Sequence, residues 1–345
     1  MESLRLIHGV TMLEKRFLYR RHLGTGTSSI VVLAMDTLTK KNVAIKIWHK
    51  ALSAAGEREV DVLELVADKR PSAGLPIVQL YGSFYYKDHL CIVMERVGLP
   101  IRLRPRSSPE APTSMSLSAI ELAVDSHAVC TARPQMDRNK LRQIIFQTCA
   151  ALAFVHSLTL IHADVKPDNI LCDNSVVEGS VKLIDFGNAM YNSEAAELVS
   201  AHEYDVQTML YRAPEVAVGA SLTTAADMWS VGCILLEGVL GTPPFLTHTR
   251  STLLAQIDQL VPVTFSQGLY LNEFATYRKK VELKPVSLDD LLTRFGIAVD
   301  KERDLVSFLR SCLTVDPVNR LTAAQAVVHP FLLPVNPARR LTNAN

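Results

Sequence analysis

Several things are scarce in this chain, and each shortage excludes something. There is no excess of charge of one sign: 36 basic residues stand against 35 acidic ones, a formal net charge of +1 over 345 residues. That balance disfavours a nucleic-acid binder working through a basic surface, and equally a strongly acidic protein. No apolar run reaches the roughly 18–20 residues that a membrane-spanning helix needs. The opening MESLRLIHGV has no basic stretch leading into a long apolar one, so it does not read as a secretory signal. The six cysteines, at 91, 130, 149, 172, 233 and 312, include no two within four residues of each other, which excludes a local zinc or redox pair. They read as reduced, buried thiols of a cytoplasmic or nuclear protein. A Gly-Lys-Ser/Thr phosphate loop is absent, and so is an internal repeat.

What is present is apolar substance. Hydrophobic residues make up 48% and charged residues 21%, which excludes global disorder and gives enough material for two folded units. Residues 17–48 hold three short apolar stretches broken by turn residues, FLYRRHLGTG, SIVVLAMD and NVAIKIWH, and read as strands. Val60, Leu63 and Val66 lie at helical spacing within 55–67, and strand patterns return at 77–86 and 89–95. Residues 100–118 carry four Pro and five Ser without a period, as a hinge or insertion does. Beyond about residue 137 the pattern turns helical. Leu141, Ile144, Ile145, Thr148 and Leu152 share one face, and helix signals recur at 225–240, 251–260, 302–313 and 322–328. A strand-rich part before a helix-rich one predicts an α+β protein of two lobes.

The residues able to do chemistry fall in a fixed order. Leu23-Gly24-Thr25-Gly26 turns between two strands, and glycines there let backbone N–H groups approach phosphate oxygens. An ordinary hairpin turn would look the same. Lys46 ends Val43-Ala44-Ile45-Lys46, and Glu59 follows on the next helix. The bland reading of such a lysine is a solvated strand residue. A stronger signal is His162-Ala163-Asp164-Val165-Lys166-Pro167-Asp168-Asn169, which packs a base, a cation and an amide into one loop. Asp185-Phe186-Gly187 follows behind the apolar run VKLI, then Ala213-Pro214-Glu215, then Asp227, Trp229 and Gly232 opening an apolar helix, then Arg320. Each alone could be chance; the whole series in this order is not.

Together these motifs resemble those of the eukaryotic protein kinases, over Phe17 to Leu332. The resemblance implies a bilobal kinase fold: an N-terminal extension at 1–16, a kinase domain at 17–332 and a tail at 333–345. Within the domain it implies an N-lobe at 17–94, a hinge and insertion at 95–136, and a C-lobe at 137–332. It implies ATP and Mg²⁺ as cofactors and Ser/Thr hydroxyls of proteins as acceptors, with no membrane and no nucleic-acid partner. Asp164 matches the catalytic aspartate and Lys166 the lysine that neutralises the moving phosphoryl group. Asn169 and Asp185 match the metal ligands. Gly24, Thr25 and Gly26 match the phosphate loop, and Lys46 paired with Glu59 matches the holder of the α- and β-phosphates. Leu23, Val31, Ala44 and Leu171 would sandwich adenine, with Glu95 and Val97 meeting its edge through backbone groups and Met94 as gatekeeper. Leu63, Leu80, His162 and Phe186 match an apolar column through both lobes, and Glu215 with Arg320 a buried ion pair.

Finer motifs resemble the CMGC group, which places an arginine after the tyrosine of Tyr211-Arg212-Ala213-Pro214-Glu215. Within it, His-Ala-Asp-Val-Lys-Pro-Asp-Asn resembles the pre-mRNA-processing kinases, and LYGSFYYKDHLCIVMER the dual-specificity tyrosine-regulated ones. Splicing factors in the nucleus follow as implied substrates. The stretch from Leu246 to about Val299 fits the group's insertion. The sequence departs from the pattern at Ser29, in place of a third glycine, and at Ala163, in place of an arginine. The 100–135 segment is long for its place, and its Arg102, Arg104 and Arg106 suit either an acidic partner or a solvated loop. Where related kinases carry a phosphorylated tyrosine, counting back from Tyr211 reaches Asp205. Asp205 paired with Arg212 would then supply permanent charge, or a one-residue insertion would give Tyr204 the acceptor role. A scaffold without catalysis is the competing reading. It is opposed by the presence of Lys46, Asp164 and Asp185. A small-molecule kinase is opposed by the intact Ala213-Pro214-Glu215 segment.

Overall fold

The computed structural model describes residues 4, 6–71, 74–103, 119–120, 136–173, 180–195, 206–282 and 284–337. Six antiparallel strands build the first lobe, in the order β1-β2-β3-β4-β6-β5. They are β1 Met12–Leu13, β2 Phe17–Thr25, β3 Ser29–Asp36, β4 Asn42–Trp48, β5 Leu80–Tyr86 and β6 His89–Glu95. Helix α1, Ser53–Asp68, packs on one face of this sheet. Strand periodicity divides the residues between two faces. Val32, Val43, Ile45, Ile47 and Cys91 form an outer core with Leu13 and Phe17. Ala44, Lys46 and Trp48 alternate to the other face of β4, opposite Val31 and Leu33 on β3 and Ile92 and Met94 on β6. The same alternation that fills the outer core therefore places Lys46 under the sheet. The segment before Phe17 joins the fold through β1, whose Leu13 is fully buried.

The second lobe is helical around α2, Arg138–Ser157, whose N-cap Asp137 accepts from the Lys140 N–H. Leu141, Ile144, Ile145, Thr148 and Leu152 are all buried. The most apolar helix is α4, Ala225–Leu240, with nearly every residue buried. Short α3, Pro214–Val218, precedes it. Then come α5 Arg250–Leu260, α6 Leu271–Arg278, α7 Leu288–Arg294, α8 Arg303–Cys312 and α9 Ala323–Ala326. Helix α6 carries no readable period in the sequence, whereas α7 buries Leu288, Leu291 and Leu292 at helical spacing over too short a stretch to stand out. The first buries only Phe274, and the second is seven residues long, started by the Ser287 side chain accepting from Asp290 N–H.

Glu215 and Arg320 tie α3 to the far end of the chain. Two N–H···O contacts of 2.6 and 2.8 Å join side chains with no exposure. The remaining guanidinium donors reach the carbonyls of Thr314, Ala225 and Val315. The chain passes between the lobes where β7, Leu99–Pro100, pairs with β8, Ile170–Cys172. Gly98 is required there, because a Cβ would stand 2.0 Å from the Cys172 carbonyl oxygen. Most of the 100–135 insertion, with Arg104 and Arg106, lies outside the described residues. Of its described residues, Ile101, Leu103, Ala119 and Ile120 are buried, and Arg102 is exposed. Cys91, Cys149, Cys233 and Cys312 are buried free thiols, Cys172 is half-buried, and Cys130 lies outside the described residues. Burial pushes the Cys91 thiol up to about 12. No described helix is long and apolar enough to cross a membrane.

Candidate active site

Beneath the sheet, Lys46 Nζ stands 2.8 Å from each carboxylate oxygen of Glu59 and 2.7 Å from Asp185 Oδ1. Burial works against the charge on Lys46, but the two carboxylates outweigh it and hold its pKa above the ordinary lysine value. Burial likewise pushes the Glu59 carboxyl up, and Lys46 offsets this only in part. For Asp185 burial is overcome by the Lys46 ammonium, and its pKa is lowered. One ammonium thus serves two carboxylates. Trp48 adds a third partner, donating its indole N–H to Glu59 Oε2 at 2.9 Å.

The loop from His162 to Asn169 is fixed from below. Asp227, fully buried on α4, accepts the backbone N–H groups of His162 and Ala163 and a ring nitrogen of His156. His162 in turn donates its Nε2–H to the Ile184 carbonyl and stacks edge-on against Phe186, centroids 4.9 Å apart. Asp164 then receives four donors. Lys166 Nζ at 2.7 Å and Asn169 Nδ2 at 3.2 Å meet Oδ2, while the Thr208 hydroxyl at 2.8 Å and its N–H at 3.1 Å meet Oδ1. Lys166 also donates to Thr208 Oγ1 at 3.0 Å. Ala163, Asp185 and Gln207 all hold φ near +60°, a strained region for side-chain-bearing residues. The Ala163 carbonyl accepts the Gln207 N–H, so two of the strained positions brace each other.

Of these groups Asp164, Lys166, Asp185 and Trp48 line one cavity of about 520 Å³, together with Thr25 to Ser29, Gly187 and Asn188. Gly26 N–H donates to the Ser29 carbonyl and closes the loop tightly, with Ser29 buried in the position of a third glycine. A Cβ on Gly24 would meet nothing within 4 Å, and one on Gly26 only that carbonyl at 3.6 Å. The bare backbone therefore serves something other than internal packing. Val31, Ala44, Val97 and Leu171 are half-buried and Leu23 is exposed, while Met94 is buried. Glu95 is half-buried, and its carboxylate accepts the Gln79 N–H. Leu63, His162 and Phe186 are buried, with Leu80 packed at the edge of the same core.

Three residues here were not singled out by sequence reasoning: Thr208, Gln207 and Trp48. Thr208 lies 44 residues from Asp164, and nothing local marks its hydroxyl. Gln207 is buried, its carbonyl accepts Nε and Nη2 of Arg212, and its side chain bridges Ala213, Ala226 and Ser230. Asp205 and Tyr204, considered as sources of charge for Arg212, lie outside the described residues.

Residues 17–332 match the protein kinase domain family. The mouse dual specificity protein kinase CLK1 is 27% identical, covering 91% of this chain and 65% of that relative. The Drosophila melanogaster serine/threonine-protein kinase Doa is 27% identical, covering 97% and 41%. The Arabidopsis thaliana serine/threonine-protein kinase AFC1 is 29% identical, covering 92% and 71%. This chain spans between about two fifths and seven tenths of these relatives' lengths. With that match over nearly all of its folded length, the chain belongs to the protein kinase family.

Proposed function

We propose that the protein transfers the γ-phosphoryl group of ATP to Ser/Thr hydroxyls of proteins. The observation that carries this reading is that Asp164, held by Lys166, Asn169 and Thr208, lines one cavity with Asp185, whose carboxylate meets the buried Lys46–Glu59 pair. The residues fit a nucleotide and a divalent cation. The glycine loop leaves space where side chains would stand, and the half-buried apolar residues Val31, Ala44, Val97 and Leu171 suit an adenine, with Leu23 at the rim. Asp185 offers a carboxylate. Asn169 has its amide nitrogen engaged with Asp164, which leaves its oxygen as the atom able to ligate. We assign Asn169 and Asp185 to Mg²⁺, which would supply charge neutralisation between the phosphates.

Each protein group then has a task. Lys46, kept charged by Glu59, holds the α- and β-phosphates. Gly24, Thr25 and Gly26 cover them with backbone, and Glu95 and Val97 offer backbone groups to the adenine edge. Asp164 orients the acceptor hydroxyl and takes its proton. Lys166, already 2.7 Å from Asp164, places positive charge beside the group in transit. Thr208, touching both, sets their spacing. We read 17–332 as the catalytic domain with its hinge at 95–136. The resemblance extends the proposal to splicing factors as substrates and to a nuclear or cytoplasmic setting. Two of the relatives are named serine/threonine kinases and one a dual specificity kinase, which supports hydroxyl phosphorylation of proteins.

The test is transfer of radiolabel from γ-labelled ATP to a degenerate peptide library, run beside Asp164→Asn. Label on Ser and Thr from the wild-type chain, lost by about a hundredfold or more in the variant, supports the reading. No transfer by the wild type, or equal transfer by both, leaves the scaffold reading in its place.

A further inference from the structure

Trp48 sits two residues past Lys46 on β4 and so shares its face of the sheet. It is 3% exposed, yet its surroundings are not simply apolar. The indole N–H goes to Glu59 Oε2 at 2.9 Å, and Lys46 Nζ lies 4.6 Å from the ring centroid. The ring also lines the cavity that holds Asp164 and Asp185. Two glycines make room for it. A Cβ on Gly56, one turn before Glu59 in α1, would stand 2.9 Å from Trp48 Cδ1 and Cγ, and one on Gly187 would stand 3.3 Å from Cζ2. A glycine inside a helix weakens it, and Gly56 has its explanation in this contact together with one to Leu90 Cδ2 at 2.8 Å. A strand, a helix and the Asp185-Phe186-Gly187 segment thus converge on one indole.

We propose that Trp48 is a positioning residue, whose N–H anchors Glu59 and whose ring supports the Lys46 ammonium so that the pair stays assembled when nucleotide phosphates draw on the lysine. The need for it follows from the charge count. Lys46 already serves Glu59 and Asp185, and phosphates add further demand. Glu59 is 1% exposed, so with Lys46 turned away it has no water to fall back on. The indole gives it a donor that does not leave. The ring face meanwhile attracts the ammonium without competing for its N–H groups.

This inference rests on the nucleotide-binding part of the proposed function, and its test is read without catalysis. Calorimetry gives the Kd of Mg·ATP for the full chain, for Trp48→Phe, for Glu59→Ala and for the double variant, with thermal melts of each. Trp48→Phe keeps an aromatic ring and removes the donor. It should weaken binding by about tenfold, the scale of one hydrogen bond to a charged group, while its melting midpoint stays near that of the wild type. In the Glu59→Ala background the same substitution should add almost nothing, because the donor has lost its acceptor. Unchanged affinity in Trp48→Phe overturns the proposal, as does a loss that adds in full on top of Glu59→Ala. A fall in melting midpoint with unchanged affinity makes the indole a packing residue only, which also overturns it. Failure of the kinase reading looks different: Mg·ATP binds the wild type and depends on Trp48, but no phosphate reaches any peptide.

Discussion

Among the described residues, two of the buried ion pairs are built for opposite purposes. Glu215–Arg320 joins segments 105 residues apart, both side chains have no exposure, and each is matched donor to acceptor. Lys46–Glu59 is nearly as buried, but its lysine is shared with Asp185, whose side chain is 40% exposed to the cavity. One pair is complete within the fold. The other holds two carboxylates around one cation at the edge of an open space. A buried pair that is closed acts as a joint, whereas one left unbalanced beside a cavity marks where a ligand completes the charge.

That contrast is broken most forcefully at the closed pair. Arg320→Ala leaves the Glu215 charge buried without its partner and should cost about 3–5 kcal/mol of unfolding free energy. Denaturant melts of the purified variant check this, and a midpoint equal to wild type would make the pair inconsequential. The open pair should respond the other way. Lys46→Met and Asp185→Ala should each lower phosphotransfer by at least about a hundredfold, near 3 kcal/mol; Asp185→Ala should barely move the melt, whereas Lys46→Met also leaves Glu59 buried without its cation and should lower it. A large loss of stability with modest loss of rate would reverse the assignments of the two pairs.

The same contrast explains what the sequence discloses. Elements governed by local period or local chemistry are readable. The face of α2 is there in Leu141, Ile144 and Leu152, and the loop chemistry in His162 to Asn169. Groups brought together by long-range packing are not. Thr208 is an ordinary threonine until the fold sets its hydroxyl on Asp164, and Trp48 reads as one more apolar strand residue until Gly56 lets it reach Glu59. Helix α6 is silent because it buries a single side chain, and α7 is easily passed over because its period, Leu288, Leu291 and Leu292, spans only seven residues behind a serine cap.

Thr208 sharpens the comparison on a smaller scale, since it contacts the site without carrying charge. Thr208→Val keeps the shape and removes the hydroxyl that meets Asp164 and Lys166. Hydrogen bonds to charged groups are worth about 1.5–3 kcal/mol, so kcat should fall on the order of tenfold or somewhat more. Thr208→Ser should stay near wild type. If Val and Ser behave alike in steady-state assays, the hydroxyl has no part in holding Asp164.

The smallest expected effect concerns a third pair that lies between the two extremes. Asp36 is 4% exposed at its side chain but its partner Arg16 is 43% exposed. Arg16 donates through Nε and Nη2, and Asp36 also accepts from Leu38 N–H and Thr39 Oγ1. The Arg16 hydrogen bonds hold its carboxyl well below the usual carboxylate range. A carboxylate with a depressed folded-state pKa contributes stability that is fully present above the unfolded value, about pH 4, and is lost as pH falls through the folded one. Because Arg16 stands in water, screening limits the contribution to about 1 kcal/mol or less. Urea midpoints measured from pH 6 downward should therefore fall more steeply below about pH 4 in the wild type than in Asp36→Asn, where no proton is taken up at this site. Parallel curves for the two proteins would mean that neither Arg16 nor the turn donors favour the charged form of Asp36 in the folded state. A pair open to water on one side would then count with the exposed ones, however deeply its carboxylate is placed.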